Sequence, residues 1–253
     1  MCLLQKQDSS RQLPQAPLKR PLAAKETPIK RQHGNNAGLH YTIDNIMAKI
    51  TTLLLDFGRV LVDYDFDRFF AVLRADYRVS EAAFAEFMQV VLAEETYSSL
   101  DRELIPFARQ VDMLKQQHPA CAELFDAFDK RFQEVVTGEV PGMHQLLSEL
   151  RSSGYRLYGL SNWSSKVYET MRNYSHLFGL LHDRVLSCEE HLLKPEAAIY
   201  RCALNRWNLT AEECVFVDDK QANIDGCEAV GIKGIRFVDC PTLRHELQLL
   251  NIL

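Results

Sequence analysis

The sequence predicts an α/β fold in which a doubly wound parallel sheet carries a helical insert after its first strand. Three features of the 253-residue chain support this prediction. Short apolar runs rich in β-forming residues recur along the chain, amphipathic helical patterns lie between most of them, and one long stretch contains helical patterns alone. Strands that alternate with helices favour a parallel sheet covered by helices on both faces.

Five apolar runs are the predicted strands. Each contains four to six residues, a length that suits a strand buried on both faces. They span residues 51–55, 155–160, 184–187, 214–217 and 234–238.

Three helices are predicted among the later strands. Pro141 and Pro195 stand where two of these helices begin, and Gly154 and Gly231 stand where two of them end. The predicted helices span residues 141–151, 195–207 and 221–230. Thr210 and Glu213 also resemble a capping box before the fourth strand.

Residues 66–138 interrupt the alternation, because their apolar residues recur at helical spacing only. The simplest interpretation is a helical cap over the carboxyl edge of the sheet, and the alternative is a helical lobe packed elsewhere. The predicted organisation is therefore a core formed by residues 47–65 and 139–253, with a cap formed by residues 66–138.

Residues 1–46 differ in composition from the rest of the chain. They hold seven Lys or Arg and three Asp or Glu, although the whole chain has a net charge of −5. A polar segment without apolar periodicity does not bury enough apolar area to offset its ordering entropy, so it is predicted to be disordered. Met47 is a candidate start, and a targeting peptide is the weaker alternative because prolines and acidic residues interrupt the segment.

Cysteine usage and hydropathy indicate a cytoplasmic protein. None of the seven cysteines forms a C-x-x-C pair, and several lie in apolar runs, as is typical of reduced thiols. No stretch approaches the roughly 18 apolar residues that span a membrane, and the net charge does not indicate nucleic-acid binding. We therefore expect a small-molecule partner, with no membrane or nucleic-acid partner. The sequence does not predict the oligomeric state.

Polar residues follow the predicted strands in a recurrent way. Ligands of open parallel sheets bind at the carboxyl ends of the strands, so these residues are expected to lie close together. Each alone has an ordinary explanation as a turn former, a helix cap or a solvated surface residue. Their joint occurrence after successive strands indicates a site. The set comprises Asp56, then Ser161 and Asn162, then Lys194, then Asp218, Asp219 and Asn223.

This set of residue types suits phosphoryl chemistry. Crowded carboxylates repel one another unless a cation lies among them, and Mg²⁺ prefers oxygen ligands while keeping waters for a phosphate. Asp56 is a candidate nucleophile toward phosphorus, and Lys194 would balance the charge on Asp56 and on the phosphoryl oxygens. Ser161 and the backbone amide of Asn162 would donate hydrogen bonds to those oxygens.

Four segments resemble, in order, the four motifs of the haloacid-dehalogenase-like hydrolases. They are residues 55–61 (LDFGRVL), residues 160–162 (LSN), residues 194–195 (KP), and residues 217–219 (VDD) with Asn223. The resemblance covers roughly residues 50–238. It implies a Rossmann-like core and, for an insert at this position, a helical cap.

The resemblance also implies roles for particular residues. Asp56 would be the nucleophile, and Ser161 and Lys194 would bind the phosphoryl group. Asp56, the backbone carbonyl of Gly58, and Asp219 would hold Mg²⁺, with Asp218 beside the ion. Contacts to phosphate or substrate are predicted for Gly58, Arg59 and Asn162.

One position departs from the pattern of typical phosphatases in this family. These enzymes carry a second Asp two residues after the nucleophile, which protonates the leaving oxygen and later activates water. Here the position is Gly58. Such general acid–base help is worth roughly 10²–10⁴-fold in rate. The segment resembles a branch with Gly at this position, which includes bacterial phosphatases of sugar phosphates such as glucose 1-phosphate. Arg59, Asp63 and Asp65 are nearby candidates for compensation.

Three functions follow from these features. The first is a Mg²⁺-dependent phosphatase of a small ester, with a sugar phosphate expected. The second is a 2-haloacid dehalogenase, which needs no metal and therefore no acidic pair at Asp218 and Asp219. The third is a catalytically weak binding or regulatory protein, suggested by Gly58 and the basic N-terminal segment. Tyr64, Trp163 and the cap residues 97–102 are interpreted as packing or surface residues, with substrate contact as the alternative.

Overall fold

The computed structural model describes residues 49–253 of the chain. The predictions that residues 1–46 are disordered and that Met47 is the start therefore lie outside the described residues. Within residues 49–253, five parallel strands form a sheet in the order β5-β4-β1-β6-β7. The predicted α/β fold with a parallel sheet is confirmed. These strands are β1 (Thr52–Leu55), β4 (Arg156–Ser161), β5 (Asp183–Leu186), β6 (Cys214–Asp218) and β7 (Lys233–Arg236).

Two further strands form a small antiparallel sheet, β2 (Val62–Tyr64) with β3 (Val136–Glu139). The helices between these two strands are α1 (Phe66–Asp76), α2 (Glu81–Val91), α3 (Glu94–Arg102), α4 (Phe107–Gln117) and α5 (Ala122–Arg131). The later helices are α6 (Met143–Ser152), α7 (Val167–Asn173), α8 (Ser175–Phe178), α9 (Ser187–Glu190), α10 (Ala197–Arg206), α11 (Gln221–Glu228) and α12 (Cys240–Leu249). Short 3₁₀ turns span Pro119–Cys121, Phe132–Val135 and Ala211–Glu213.

Strand β1 is the centre of the sheet and is buried on both faces. The side chains of Leu53, Leu54 and Leu55 are completely buried. Leu53 and Leu55 belong to the larger apolar cluster, whereas Leu54 belongs to a second cluster on the opposite face. The side chains of a strand alternate between faces, so this run of three leucines serves both cores.

The order of the strands defines where a ligand can bind. Strand β1 pairs with β4 on one side and with β6 on the other. The chain therefore builds one half of the sheet outward from β1 and then crosses back to build the other half. Open α/β sheets bind ligands at such a switch point, outside the carboxyl ends of the strands.

The helical segment is closed by a strand that the sequence pattern did not predict. Residues 66–138 were expected to contain helices only, but β3 begins at Val136 and pairs with β2. Val136-Thr137 is a very short β-prone run followed by Gly138, so periodicity over a long window does not detect it. The β2–β3 pair brings both ends of the helical segment together beside the end of β1.

Two other sequence features can be compared with the structure. The Thr210–Glu213 pattern gives only a 3₁₀ turn without a side-chain cap, because β6 begins immediately at Cys214. The six cysteines within residues 49–253 are all unpaired. Among the helices of residues 49–253, none combines the length and the apolar character needed to cross a membrane.

Candidate active site

A cavity of about 270 Å³ lies at the carboxyl edge of the sheet, where the switch point predicts a ligand. The core side of its lining includes Asp56, Gly58, Asn162, Lys194 and Asp219, all of which the sequence singled out. The remaining lining residues from the core and the helical segment are Tyr64, Phe66, Glu94, Tyr97, Ser98, Asp101, Phe132, Val135, Trp163, Leu193, Pro195, Lys220, Ala222 and Asn223.

Asp56 directly follows β1, and its backbone amide donates to the carbonyl of Val217 in β6 (2.9 Å). Its Oδ1 atom accepts a hydrogen bond from the Phe57 amide (2.7 Å) and lies 2.8 Å from Lys194 Nζ. Neither contact uses Oδ2, which leaves that atom for attack on a ligand. Burial raises the pKa of Asp56 to about 6 against the opposing effect of Lys194, and Asp218 raises it further.

Lys194 connects two buried carboxylates. Its Nζ atom lies 2.6 Å from Asp218 Oδ2 as well as 2.8 Å from Asp56 Oδ1, and its side chain is 1% exposed. Burial alone would lower the pKa of Lys194, but the two carboxylates raise it above its usual value. Lys194 therefore stays charged throughout the neutral pH range, and its ammonium is fixed beside Asp56.

Asp218 ends β6 and is completely buried beneath the cavity. Burial would raise its pKa, but the Lys194 ammonium and hydrogen bonds from the Lys220 amide (2.8 Å) and Asn223 Nδ2 (3.0 Å) lower it. Asn223 is thus a partner of Asp218 as well as a residue of the cavity wall. Both oxygens of Asp218 are occupied by donors, so its main effect is to position Lys194.

Asp219 completes a cluster of three carboxylates. Ligand atoms of Asp56, Asp218 and Asp219 all lie within 4.8 Å of one another. Burial and the neighbouring Asp218 raise the pKa of Asp219. The ammonium groups of Lys194 and Lys220 act on this cluster of three carboxylates. One negative charge remains in excess, which a hard divalent cation with oxygen ligands would compensate. The donor set therefore fits Mg²⁺.

Ser161 and Asn162 occupy the end of β4, but their side chains differ in function. Asn162 Nδ2 donates to the Lys194 carbonyl (2.9 Å), and the Lys194 amide donates to Asn162 Oδ1 (2.8 Å). The Asn162 side chain therefore fixes the backbone of the Lys194 loop. The Ser161 hydroxyl is buried and has no hydrogen-bond partner among the described residues. Ser161 is outside the cavity lining, but its hydroxyl lies close enough to Asp56 to lower the pKa of that carboxyl group.

Arg59 does not reach the cavity. Its side chain is exposed, and its guanidinium lies over the ring of Tyr64, 4.7 Å from the ring centroid. The backbone of Arg59 has a positive φ of 59°, which directs the residue away from the line of β1. Arg59 is absent from the cavity lining of the described structure, and its contact with phosphate or substrate stays a prediction.

The two nearby acids also lie outside the cavity lining. Asp65 Oδ1 accepts a hydrogen bond from the Arg68 amide (2.8 Å), so this side chain is the N-cap of α1. Asp63 lies in β2 and is partly buried. Neither carboxyl group belongs to the wall of the cavity, so their compensation for Gly58 stays a prediction.

The Tyr64 ring takes the space beside Gly58. A Cβ atom at position 58 would lie 2.7 Å from Tyr64 Cε1, closer than two carbons can approach. Tyr64 is held in turn by Phe66, whose ring centroid is 5.5 Å away, and by Arg59. The absence of a side chain at Gly58 therefore makes room for the aromatic ring of Tyr64 in the cavity wall.

We expect Gly58→Ala to destabilise the protein by about 1–3 kcal/mol, because the added methyl group overpacks against Tyr64. Thermal and urea unfolding measure the effect. In the Tyr64→Ala background, Gly58→Ala should lower the free energy of unfolding by clearly less, because the clash with the Tyr64 ring is removed. Gly138→Ala is the matched control, since no atom lies within 4 Å of its added Cβ. Equal unfolding midpoints for Gly58→Ala and Gly138→Ala would contradict the steric explanation.

Helix α3 supplies a wall of the cavity that the sequence analysis did not assign. Glu94, Tyr97, Ser98 and Asp101 all line the cavity and stand at helical spacing i, i+3, i+4 and i+7. This periodicity of polar groups was a signal for one common face. Packing or surface roles were favoured from the sequence for Tyr64, Trp163 and residues 97–102. Five of these residues line the cavity, namely Tyr64, Tyr97, Ser98, Asp101 and Trp163.

Solved structures with a similar fold include enzymes of the haloacid-dehalogenase family. A haloacid-dehalogenase family enzyme from Bacteroides thetaiotaomicron superposes with a TM-score of 0.66 and 19% identity, covering 79% of this chain and 98% of that chain. The same enzyme has been solved in complex with magnesium and inorganic phosphate, and that structure superposes with a TM-score of 0.60 and 18% identity, covering 75% of this chain and 95% of that chain. At these identities the similarity shows the fold.

The family is shown by the sequence itself. The family model described as haloacid dehalogenase-like hydrolase matches residues 64–237, which is more than half of the chain. The chain belongs to the haloacid dehalogenase-like hydrolase family, as its four motifs predicted.

Curated relatives include phosphatases. The chain is 30% identical over 106 residues to the sesquiterpene phosphatase astK of Aspergillus oryzae, an alignment that covers 42% of this chain and 54% of that protein. It is 26% identical over 159 residues to the glyceraldehyde 3-phosphate phosphatase of Pyrococcus abyssi, covering 62% and 65%. In both alignments the chain spans less than two thirds of the relative.

Proposed function

We propose that this chain is a Mg²⁺-dependent phosphomonoesterase that works through an aspartyl-phosphate on Asp56. The observation that carries the proposal is the arrangement of Asp56, Lys194, Asp218 and Asp219 at the edge of one cavity. A carboxylate with a free oxygen, a fixed ammonium and an excess of negative charge are the parts that phosphoryl transfer requires. The named activities of the phosphatase relatives support the same assignment.

Each residue of the site has a proposed task. Asp56, the Gly58 carbonyl and Asp219 would hold Mg²⁺, which when bound would neutralise the carboxylates and the phosphoryl oxygens. Asp56 Oδ2 attacks phosphorus while Lys194 balances the charge on Oδ1 and on the transferred group. The free hydroxyl of Ser161 donates to a phosphoryl oxygen. Asp218 and Asn162 keep the ammonium and the backbone of Lys194 in place.

The residues of the cavity wall suggest two classes of substrate. A sugar phosphate is the substrate class that the motif resemblance suggests, and the aromatic faces of Tyr64 and Trp163 with the polar groups Glu94 and Ser98 suit a sugar ring. A phosphate ester with an apolar organic part is the second candidate, because Phe66, Phe132 and Val135 also line the cavity. The sesquiterpene phosphatase among the relatives supports this second class.

Two other functions are less well supported. A 2-haloacid dehalogenase works without a metal and has no need for the excess of negative charge at Asp56, Asp218 and Asp219. A binding protein without activity has no need for a nucleophile whose second oxygen is free beside a buried ammonium. Chloride release from 2-chloropropionate in the absence of metal would reverse this preference.

The decisive experiment is phosphate release from a panel of monoesters in Mg²⁺ and in EDTA. The panel contains glucose 1-phosphate, glyceraldehyde 3-phosphate, farnesyl phosphate and p-nitrophenyl phosphate. We expect turnover in Mg²⁺ and its loss in EDTA, with the preferred ester deciding between the sugar and the apolar class. No turnover of any ester in Mg²⁺ would overturn the proposed function.

We expect Mg²⁺ to stabilise the folded protein and Asp219→Asn to remove most of that effect. Binding to the folded state alone adds about 2.7 kcal/mol when Mg²⁺ is at 100 times its Kd. The measurement is the unfolding midpoint as a function of Mg²⁺ concentration. Asp225→Asn is the matched control, because this acid of α11 is exposed and outside the cavity lining. An unchanged Mg²⁺ response in Asp219→Asn would argue against Asp219 as a ligand.

A further inference from the structure

Asp101 is a buried acid in the wall of the cavity that no proposed step has yet used. It lies in the last turn of α3 and is 8% exposed. Its carboxyl group forms no ion pair with any residue in the described part of the chain, in contrast to Asp56 and Asp218. A buried acid without an ion-pair partner is costly to a fold, so its presence in a cavity indicates a function.

The segment that carries Asp101 is firmly attached to the core. The Ser187 hydroxyl donates to the Asp101 carbonyl (2.7 Å), and Arg102 Nη1 donates to the His191 carbonyl (3.0 Å). The next residue, Glu103, accepts hydrogen bonds from the amide (2.6 Å) and the hydroxyl (2.8 Å) of Ser165. Hydrogen bonds to the loops after β4 and β5 therefore fix the position of Asp101 relative to Asp56.

Asp101 lines the same cavity as Asp56, but it belongs to helix α3 and not to the edge of the sheet. Asp56 attacks from the edge of the sheet, and in-line displacement directs the leaving oxygen away from the attacking oxygen. Helix α3 belongs to the helical segment, which contributes a wall of this cavity separate from the edge of the sheet, so Asp101 is a candidate donor to the leaving oxygen. Typical phosphatases of the family carry an acid at the position of Gly58, but here the Tyr64 ring fills the space that a side chain at this position would need.

We propose that Asp101 is the general acid and general base of this enzyme, in place of the side chain that Gly58 lacks. This assignment rests on the proposed phosphatase function. In the first step a bond forms between Asp56 Oδ2 and phosphorus, and the bond from phosphorus to the leaving oxygen breaks. The leaving oxygen keeps the electron pair and receives the proton of the Asp101 carboxyl group, which gives the free alcohol and an Asp101 carboxylate.

The second step restores both acids. The Asp101 carboxylate removes a proton from water while the water oxygen bonds to phosphorus. The bond between phosphorus and Asp56 breaks, and its electron pair returns to the Asp56 carboxylate. The products are inorganic phosphate and the protonated Asp101 that began the cycle.

The electrostatic surroundings of Asp101 suit both steps. Burial raises the pKa of Asp101 to about 7, while Lys220, the Ser164 amide and Lys194 favour the carboxylate and Asp56 disfavours it. Tyr97 on the same helix also faces Asp101. An acid with a pKa near neutrality can both donate and accept a proton at physiological pH.

The test is pre-steady-state kinetics of Asp101→Asn with two kinds of ester. The p-nitrophenolate leaving group needs no proton, so the variant should release one equivalent of p-nitrophenol in a rapid burst. Hydrolysis of the phosphoenzyme then lacks its base, and steady-state turnover should fall by roughly 10²–10⁴-fold. The phosphoenzyme should accumulate and be visible as one added phosphoryl group by intact-protein mass spectrometry. With an alkyl phosphate the burst itself should be lost.

Controls separate this role from a structural one. Glu95→Gln alters an exposed acid of the same helix outside this cavity and should behave as wild type. Asp101→Ala should repeat the burst with p-nitrophenyl phosphate. Turnover of Asp101→Asn within about threefold of wild type, or an equal loss with both esters and no phosphoenzyme, would overturn the assignment of Asp101 alone. Absence of Mg²⁺-dependent turnover in the wild type would overturn the phosphatase function and this assignment with it.

Discussion

Asp56→Asn is expected to lower kcat by roughly 10⁴-fold or more, because an amide oxygen does not replace the attacking carboxylate. The fold should remain intact, since Asn keeps an oxygen to accept from the Phe57 amide and from Lys194. Steady-state phosphate release in Mg²⁺ measures the loss. Turnover within tenfold of wild type would exclude Asp56 as the nucleophile.

The same variant makes a prediction about stability. The folded-state pKa of Asp56, about 6, lies above the ordinary value of 3.8, so folding disfavours the ionised form. The stability that the neutral form contributes is therefore lost as the pH rises through about 6. A neutral Asn avoids the free-energy cost of a buried, ionised Asp56. At pH 7.5 in EDTA, the unfolding midpoint of Asp56→Asn should therefore equal or exceed that of the wild type. Asp63→Asn is the matched control for activity, because Asp63 lies outside the cavity lining and should leave turnover unchanged.

Lys194→Met is expected to destabilise the protein by about 3–5 kcal/mol, which is the usual cost of leaving a buried charge without its partner. Two carboxylates, Asp56 and Asp218, would then lie together without a cation. Chemical unfolding in EDTA measures the loss, and phosphate release should fall as well because the ammonium is missing. Lys130→Met is the matched control, since its side chain is 71% exposed and its ion pair with Asp126 is worth at most about 1 kcal/mol.

The pH dependence of the stability of Lys194→Met distinguishes unpaired charge from lost packing as the cause of the destabilisation. Without the ammonium, burial and mutual repulsion raise the folded-state pKa of both carboxylates above their unfolded values. Stability is then retained at low pH and lost as the pH rises, so the destabilisation should shrink between pH 8 and pH 5. A loss of stability that is equal at both pH values would indicate lost packing instead of unpaired charge.

The order of secondary structure in the core was predictable because local patterns determine it. The five predicted strands agree with the observed ones to within a few residues, since short apolar runs bounded by turns suit strands covered on both faces. The rule that ligands bind at strand carboxyl ends also anticipated the convergence of Asp56, Asn162, Lys194 and Asp219 on one cavity. Strand β3 was missed because two β-prone residues give no periodic signal.

Four features of the site were decided by tertiary contacts. The Tyr64 ring fills the space beside Gly58. Arg59 lies outside the cavity lining, where its backbone turn and its contact with the same ring place it. Asp218 is occupied as a partner of Lys194, a role that spacing along the chain does not distinguish from metal binding. Asp101 enters the cavity because distant loops hold the end of α3 against the core.

The sequence by itself determined the family, the parallel sheet and the set of polar residues at its edge, because motif order and strand periodicity are properties of local stretches of chain. Tertiary structure alone decided which oxygen atoms are free, which charges are paired, and which acid of α3 lines the same cavity as Asp56. These properties depend on distances and burial between residues far apart in the chain, such as the 2.8 Å that separates Lys194 Nζ from Asp56 Oδ1.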